Sequence, residues 1–294
     1  YITISTLPVT YKTIPGPSLT LTESTILAGT DAKKGVPVQI ESVRGVHEVV
    51  IYRIENGSEV EALRETKNGE HTLNYAPEID FTEATSKLKV VVSDGREGKE
   101  AIGYMKAYVN MDVATLNVGS QPLANNAHVK YPDAFGMVSL NDLKTYSVDY
   151  AIANEVNAKN VDFKFYCFGA SGSPRLYSMD NTGKDGEFSG STGKLSAIKV
   201  KNLTRFAILS NFDYENATVA SISSEILSSS IAQSLLDPIA VGNVIAFRTG
   251  GSSAAGGGRI GVMKVINITE PKELVSNNAT ARVMTVEIKF PKKK

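Results

Sequence analysis

The residue types that most often bind metal or attack a substrate are few and scattered in this chain. The histidines are His47, His71 and His128, and the single cysteine is Cys167. A zinc site needs these residue types clustered at short spacing, so the spacing predicts ordinary histidines on or near strands. Cys167 lies inside the apolar run Phe163–Phe168, which predicts a buried thiol that does not react.

An acidic, glycine-rich stretch at 180–187 is a candidate calcium loop. Asp180, Asn181 and Asp185 offer the oxygen ligands that calcium prefers. An EF-hand register on this stretch places Thr192 at the twelfth position, where the motif requires a bidentate Glu. The sequence therefore predicts a polar loop, with an irregular calcium site on Asp180, Asn181 and Asp185 as the alternative.

Two glycine-rich segments have the composition of phosphate loops but lack the required context. In the first, Gly190–Lys194, Phe188 stands where the motif needs glycine and Leu195 follows the lysine. The second, Gly250–Gly258, joins two β-rich runs and has no helix after it, so it lacks a helix dipole to hold phosphate. The composition of Gly250–Gly258 predicts a flexible hairpin loop. No Gly-x-Ser-x-Gly element occurs, whereas a pair of carboxylates brought together by folding stays an open alternative.

Arginine and tyrosine side chains are the best candidates for ligand recognition. Arg175, Tyr177, Arg248 and Arg259 lie in or beside loops predicted in the C-terminal part of the chain. Arginine donors and tyrosine rings recur at recognition surfaces. Tyr177 is expected to be exposed because Gly, Ser and Pro are close to it in sequence. We therefore predict a ligand site at these four residues, with no catalytic residue and no cofactor.

Composition and charge exclude several classes of function. The chain has 294 residues, of which 42% are hydrophobic and 21% charged, as in a folded globular protein. Basic and acidic residues number 31 each, so no general attraction to nucleic acid or to anionic lipid is expected. Residue 1 is Tyr rather than Met. We therefore expect a processed chain whose removed N-terminal segment carried an export signal or a lipid-anchored cysteine.

The first domain is predicted over residues 15–111 as an Ig-like β-sandwich. Pro15-Gly16-Pro17 breaks the chain after an apolar stretch, Tyr1–Ile14, that is expected to be an extended strand or a linker. About seven short β runs with turn residues between them then follow, which is typical of such a sandwich. These runs are Leu19–Leu21, Val36–Ile40, Val49–Ile54, Glu59–Leu63, Thr72–Tyr75, Leu88–Ser93 and Ala101–Val109.

The second domain is predicted over residues 112–294 as an α+β domain with an antiparallel sheet and one or two helices. The main helix is expected between Asp213 and Leu236, where apolar residues follow helical spacing before Asp237-Pro238. A weaker helix is expected over Ser147–Asn157. The predicted strands are Val161–Phe168, Phe206–Leu209, Val244–Thr249, Ile260–Ile268 and Val283–Phe290.

The second domain resembles a type found in surface lipoproteins of Bacteroidetes-like bacteria. The resemblance is carried by five segments: Val161–Tyr166, Arg175–Ser178, Asn202–Phe206, Val241–Thr249 and Gly261–Val265. An Ig-like module ahead of such a domain is similar to the usual arrangement of these proteins. The resemblance implies an exported protein at the bacterial outer surface, attached to the membrane only through the removed lipid anchor. It implies no catalytic residue.

The predicted function is a non-catalytic surface lipoprotein that captures glycan or another nutrient, or that docks to surface proteins. A structural or adhesive surface subunit is the alternative, and a polysaccharide-active enzyme is the third interpretation. Any ligand site is expected in the second domain, because its loops at 169–175, 180–194 and 250–258 are longer and richer in Gly and Ser. Loops with this composition carry binding sites more often than the tight turns of a sandwich.

Overall fold

The structure is a computed structural model that describes residues 13–293. The strand or linker predicted for residues 1–14 therefore lies almost wholly outside the described residues. The chain divides into two compact units, one ending at Val109 and the other beginning at Asn110. Strands account for 41% of the structure and helices for 12%, so the predicted mainly-β class is confirmed.

The first unit is built from short strands that alternate between buried and exposed positions. In order they are β1 (Ser18–Leu21), β2 (Thr25–Ala28), β3 (Lys34–Gly35), β4 (Val38–Glu41), β5 (Glu48–Glu55), β6 (Ser58–Thr66), β7 (Thr72–Tyr75), β8 (Glu78–Ile79), β9 (Thr85–Ser93) and β10 (Glu100–Val109). In β9, Leu88, Val90 and Val92 are buried while Lys87 and Lys89 are not, as expected when successive side chains point to opposite faces.

The strand order of the first unit is that of an Ig-like sandwich. One sheet has the order β1-β4-β7 and the other the order β2-β10-β9-β5-β6, with a small β3-β8 pair beside them. The first strand is split between the sheets, since β1 pairs with β4 whereas β2 runs parallel to β10. Residues from both sheets form one core, including Ile26, Ile40, Ile51, Leu88 and Met105. This is the fold predicted from the spacing of the β runs.

The second unit has two antiparallel sheets and three short helices in its described part. Its strands are β11 (Met111–Gly119), β12 (Met137–Ser139), β13 (Lys144–Tyr146), β14 (Phe163–Phe168), β15 (Ser173–Ser178), β16 (Arg205–Leu209), β17 (Leu235–Leu236), β18 (Val244–Arg248), β19 (Ile260–Ile268) and β20 (Val283–Pro291). The helices are α1 (Val148–Ala153), α2 (Glu155–Lys159) and α3 (Val219–Glu225). The β11 sheet has the order β11-β20-β19-β18-β16, and the β14 sheet has the order β13-β12-β14-β15-β17.

The two sheets of the second unit pack against each other over a shared core. Strand β14 shows how the layers are organised. Phe163, Phe165 and Cys167 point into the core between the sheets, whereas Tyr166 packs on the opposite side with residues of α1 and α2. Lys164 is on the same face of β14 as Tyr166 and is also fully buried. Because both faces of β14 are covered, the strand is almost continuously apolar in sequence.

The helix predicted between Asp213 and Leu236 is wrong over most of its length. Only Val219–Glu225 is α-helical, beginning at a capping box formed by Thr218 and Ser221, and a single 3-10 turn follows at Ser228–Ser230. Its buried residues include Val219 and Ile222, but Leu227 is 68% exposed, so the apolar spacing does not continue a helical face. The end of the segment, Leu235–Leu236, pairs with β15 instead.

The weaker helix prediction, Ser147–Asn157, is confirmed in position. The segment forms α1 and α2, with Ser147 accepting a hydrogen bond from the Tyr150 amide and Asn154 accepting one from the Asn157 amide. Such side-chain caps satisfy backbone donors that the first turn leaves free. No described helix is both long enough and apolar enough to cross a lipid bilayer.

Candidate functional site

A cleft of about 410 Å³ lies in the second unit, where the edge strands of its two sheets come together. We call it the edge cleft. Its lining residues come from β11, from β13 and from the loop that precedes β12: Thr115, Leu116, Asn117, Asp133, Phe135, Lys144 and Thr145. β11 and β13 are the outermost strands of their sheets. The volume is within the range of about 300–1,000 Å³ that is typical of ligand sites.

Backbone contacts hold the Phe135 loop against both edge strands. The Gly119 amide donates to the Phe135 carbonyl at 3.0 Å, and the Phe135 amide donates to Thr145 Oγ1 at 3.2 Å. Thr145 Oγ1 in turn donates to the Asp133 carbonyl. Gly119 is required for this approach, since a Cβ atom there would lie 2.4 Å from the Ala134 carbonyl oxygen. Asp133 and Phe135 are thus fixed relative to β13.

The polar side chains of the edge cleft are available for a ligand. Asp133 and Lys144 are both exposed, and they do not form an ion pair with each other or with another described residue. On β11, the Asn117 amide oxygen accepts a hydrogen bond of 2.8 Å from the Thr285 hydroxyl. This bond fixes the amide plane and leaves its NH₂ group as a donor. The cleft therefore offers a carboxylate, an ammonium group, an amide donor and the Phe135 ring.

A hydrogen-bonded network stiffens the segment that carries Lys144. Tyr146 donates to Asp142 Oδ2 at 2.5 Å, and Asn160 donates both to the same oxygen and to the Tyr150 hydroxyl. The Tyr146 and Tyr150 rings stack with their centroids 3.9 Å apart. The hydrogen bond to Asp142, together with burial, raises the pKa of Tyr146. Both ends of β13 are therefore tied to neighbouring structure, which pre-organises the cleft.

The predicted recognition pair Arg175 and Tyr177 does not form an open site. Both lie within strand β15 rather than in a loop. Tyr177 is only 4% exposed, so the prediction that it is exposed is wrong. Arg175 forms an ion pair with Asp237 at 2.8 Å and covers the Phe168 ring at 4.0 Å. The nearby Gly, Ser and Pro residues indicated an exposed loop, but α1 and α2 cover this face of the β14 sheet and bury Tyr177.

The other two predicted recognition residues, Arg248 and Arg259, flank the 250–258 loop but are engaged within the fold. Arg248 donates to the Ser228 hydroxyl at 3.0 Å. Arg259 donates to the Ala255 carbonyl at 2.6 Å and lies 4.0 Å from the Phe290 ring centroid. Burial lowers the pKa of Arg259. These contacts make Arg259 a support of the hairpin loop rather than a free donor.

The loop itself is held by the surrounding structure, in contrast to the flexible hairpin that its glycines predict. The Ala254 amide donates to the Lys159 carbonyl at 2.9 Å, and the Ser252 hydroxyl donates to Asn202 Oδ1 at 2.7 Å. A Cβ atom at Gly250 would lie 2.5 Å from the Leu203 amide nitrogen. The glycine content therefore reflects close packing at this position.

The side chains of the three candidate calcium ligands are each engaged by another side chain of the fold. Asp180 forms a bidentate pair with Arg205 at 2.8 Å. Asp185 accepts from the buried Lys164 at 2.6 Å. The Asn181 side chain donates to the Ser234 hydroxyl at 3.1 Å. No group of three or more His, Cys, Asp or Glu residues suited to a metal ion occurs within residues 13–293.

Cys167 lies in the core between the sheets, with no exposed surface. Burial raises the pKa of its thiol to about 12, so almost no thiolate forms at neutral pH. Its backbone amide and carbonyl are both bound by the Gln121 side chain. The prediction of a buried structural cysteine is confirmed.

Sequence reasoning did not identify Asn117, Asp133, Phe135 or Lys144. Asn117 is a polar residue between Leu116 and Val118, and Asp133 follows a proline in a loop, but neither signal points to a site. The edge cleft exists only because β11 and β13, which are distant in sequence, become the neighbouring edges of two sheets. That juxtaposition is a property of the sheet order.

Comparisons with known proteins do not assign a function to this arrangement. No protein-family model matches the chain, and a search of curated proteins found no significant similarity. Function is therefore inferred from the geometry of the site.

Proposed function

We propose that this protein is a non-catalytic, exported surface lipoprotein that captures saccharide in the edge cleft. The observation that carries this proposal is the combination of the half-buried Phe135 ring with a carboxylate, an ammonium group, an amide and the Thr115 hydroxyl in one cleft. Hydroxyl-rich ligands need several directional donors and acceptors, while their C–H faces need an apolar surface. The surface location and the lipid anchor are part of the proposal because the second domain resembles a type found in bacterial surface lipoproteins.

The composition of the cleft also supports binding rather than hydrolysis. Glycoside hydrolysis ordinarily uses two carboxyl groups on opposite sides of the scissile bond. Asp133 is the one carboxylate among the lining residues. Another acid with a perturbed pKa, Asp162, is fully buried and cannot touch a substrate. Capture without turnover is therefore the function that the site supports best.

Binding of the full chain to a glycan array, followed by titration of each hit, tests this proposal. Phe135→Ala is expected to weaken binding by about tenfold or more, since the ring contributes on the order of 1.4 kcal/mol of contact. Asp133→Asn and Lys144→Gln are expected to weaken it by smaller factors. The control is Phe168→Ala, which removes a 40% exposed ring of the same unit that does not line the cleft.

Three results would contradict the proposal. The first is that the array shows no saccharide binding, the second that the cleft variants bind as well as the wild type, and the third that Phe168→Ala weakens binding as much as Phe135→Ala. Self-association of the chain without any saccharide binding would favour the structural or adhesive subunit instead.

A further inference from the structure

Lys164 and Asp185 form an ion pair in the interior of the second unit. Nζ of Lys164 lies 2.6 Å from Oδ1 of Asp185, and the two side chains are 0% and 2% exposed. Lys164 belongs to β14, whereas Asp185 begins a short 3-10 turn in the segment that follows β15. Neither residue lines the edge cleft. The fold thus brings an amine and a carboxyl group into contact where both are removed from water.

The distance between the two groups suits formation of an amide bond. A C–O bond is about 1.2 Å long, so Nζ of Lys164 lies less than about 4 Å from Cγ of Asp185, the carbon that an amine attacks. Lys164 also donates to the Asn181 carbonyl at 2.9 Å, which holds Nζ in place. Holding two reacting groups in contact converts a slow bimolecular step into a fast intramolecular one.

Burial makes the neutral form of the pair accessible. Two charges that are removed from water carry a large desolvation cost. Burial is the largest influence on the pKa of Lys164 and lowers it, the charge of Asp185 opposes this effect, and the nearby Lys201 lowers the pKa further. Transfer of one proton along the hydrogen bond between the two residues gives an amine and a carboxylic acid. The neutral amine is the nucleophilic form of lysine.

The second carboxyl oxygen of Asp185 is placed to leave. Oδ2 is buried and has no hydrogen-bond partner among the described residues. Nζ of Lys201 lies 3.9 Å from it, and this ammonium group can protonate Oδ2 as the bond to Cγ breaks. Contacts between catalytic groups are often long before reaction and shorten in the transition state. The three side chains thus supply a nucleophile, an electrophile and a proton donor.

From this arrangement we infer that Lys164 and Asp185 join through an intramolecular isopeptide bond once the chain has folded. The Nζ–Cγ bond forms and the Cγ–Oδ2 bond breaks. Oδ2 departs as water with the carboxyl proton and a second proton from Lys201, which is recharged by the proton that Nζ loses. The condensation changes no oxidation state and needs no further reactant. The product amide keeps one N–H, for which the Asn181 carbonyl is already an acceptor.

The isopeptide bond stabilises the second unit in two ways. It replaces a buried ion pair with a neutral group, which removes the desolvation cost of the two charges. It also closes a covalent loop around β15, which lies between the two residues, and so restricts the unfolded chain as a disulfide does. The chain has a single cysteine, so no disulfide within it can take this role. The inference does not depend on saccharide binding.

Mass spectrometry of the full chain, denatured after it has folded, tests the inference. The wild type should be lighter than its sequence by one water molecule, whereas Lys164→Met and Asp185→Ala should have the full masses of their sequences. After trypsin digestion, residues 160–175 should remain uncut at Lys164 and be joined to residues 185–194. Thermal unfolding identifies a variant that does not fold, and the joined peptides of the wild type then decide by themselves.

Lys201→Gln tests the proton donor. The chain is refolded from denatured, unreacted material, and the fraction of lighter molecules is followed with time. Lys201→Gln should slow the reaction at least about tenfold, since a placed general acid contributes this much or more. Lys199→Gln removes the same charge from an exposed position two residues away and should react at the wild-type rate. Equal rates for Lys201→Gln and the wild type would contradict the role of Lys201.

The isopeptide bond is overturned if the folded wild type has the full mass of its sequence, or if trypsin releases residues 185–194 unjoined. It is also overturned if Lys164→Met is lighter by one water as well. Asp185 precedes Gly186, and closure of its carboxyl group onto the Gly186 amide loses the same water without any lysine. Joined peptides in the wild type, together with the full mass of Lys164→Met, support the bond.

Discussion

Asp162 is a carboxylate with no exposed surface, in the segment that leads into β14. The Leu140 amide donates to Oδ2 at 2.8 Å, whereas Oδ1 has no hydrogen-bond partner of ordinary geometry among the described residues. Removal from water raises the pKa of Asp162 from 3.8 to about 6, and the nearby Ser253 hydroxyl and Leu140 amide offset only part of this effect. We predict that Asp162→Asn makes the protein more stable at neutral pH.

The magnitude follows from the pKa. A rise from 3.8 to about 6 is about two units, and each unit equals ~1.36 kcal/mol, so ionised Asp162 costs roughly 3 kcal/mol of unfolding free energy. The folded state holds the proton more tightly than the unfolded state. The cost is therefore absent below pH ~3.8, grows as the pH rises to ~6, and is constant above that. Asparagine keeps the acceptor for Leu140 and carries no charge.

Urea denaturation of the wild type and of Asp162→Asn at about pH 4 and about pH 7.5 measures this effect. The difference in unfolding free energy between the two proteins should increase by about 2–3 kcal/mol from the lower to the higher pH. Asp133→Asn, which changes an exposed carboxylate of the same unit, should show little of this increase. A difference that stays constant with pH would show that Asp162 is not desolvated as described.

Three further predictions concern the buried groups and the connection of the two units. Cys167 should stay unreactive to a thiol reagent in the native state, and Cys167→Ser should cost about 1–3 kcal/mol in urea denaturation because it buries a poorly paired hydroxyl; fast labelling would contradict this. Lys164→Met should cost roughly 3–5 kcal/mol by leaving the buried Asp185 with only the more distant Lys201, at 3.9 Å, and adding Asp185→Asn should recover part of the loss; equal stability of the single and double variants would refute the pairing. Limited proteolysis should spare Met111–Gly119, which is strand β11 and pairs with β20 along its whole length; early cleavage inside it would contradict the fold.

Much of the fold could be predicted because strands leave a direct pattern in the sequence. Ile260–Ile268 was predicted with the bounds that the structure shows, and Val244–Thr249 differs by one residue. Both segments are apolar, β-branched and bounded by turn residues. The error at 213–236 has a different origin. Its apolar residues keep helical spacing to Leu235, but the pairing of Leu235–Leu236 with β15 is a tertiary contact that no local pattern encodes.

The site could be predicted far less well, because the sequence shows residue types and not which of them meet. Arg175 and Arg248 have the chemistry of recognition residues but find Asp237 and Ser228 within the fold. Asn117 and Lys144 have no distinguishing context, yet the sheet order brings them to one cleft. A free arginine and a paired arginine look the same in a sequence.

The 178–200 region is anchored to the β14 sheet by a few buried side chains, although many of its other residues are exposed. Strand β14 carries Lys164 on the face away from the inter-sheet core, and this cation binds Asp185 and the Asn181 carbonyl. Burial lowers the pKa of Lys164, so the pairing with Asp185 is needed to keep it charged. The loop is thereby fixed as a third layer over the β14 sheet, and its own Phe188 and Leu195 side chains are buried. Because both faces of that sheet are covered, a ligand can reach it only at an edge, and β13 is the edge at which the Phe135 loop leaves a cleft open.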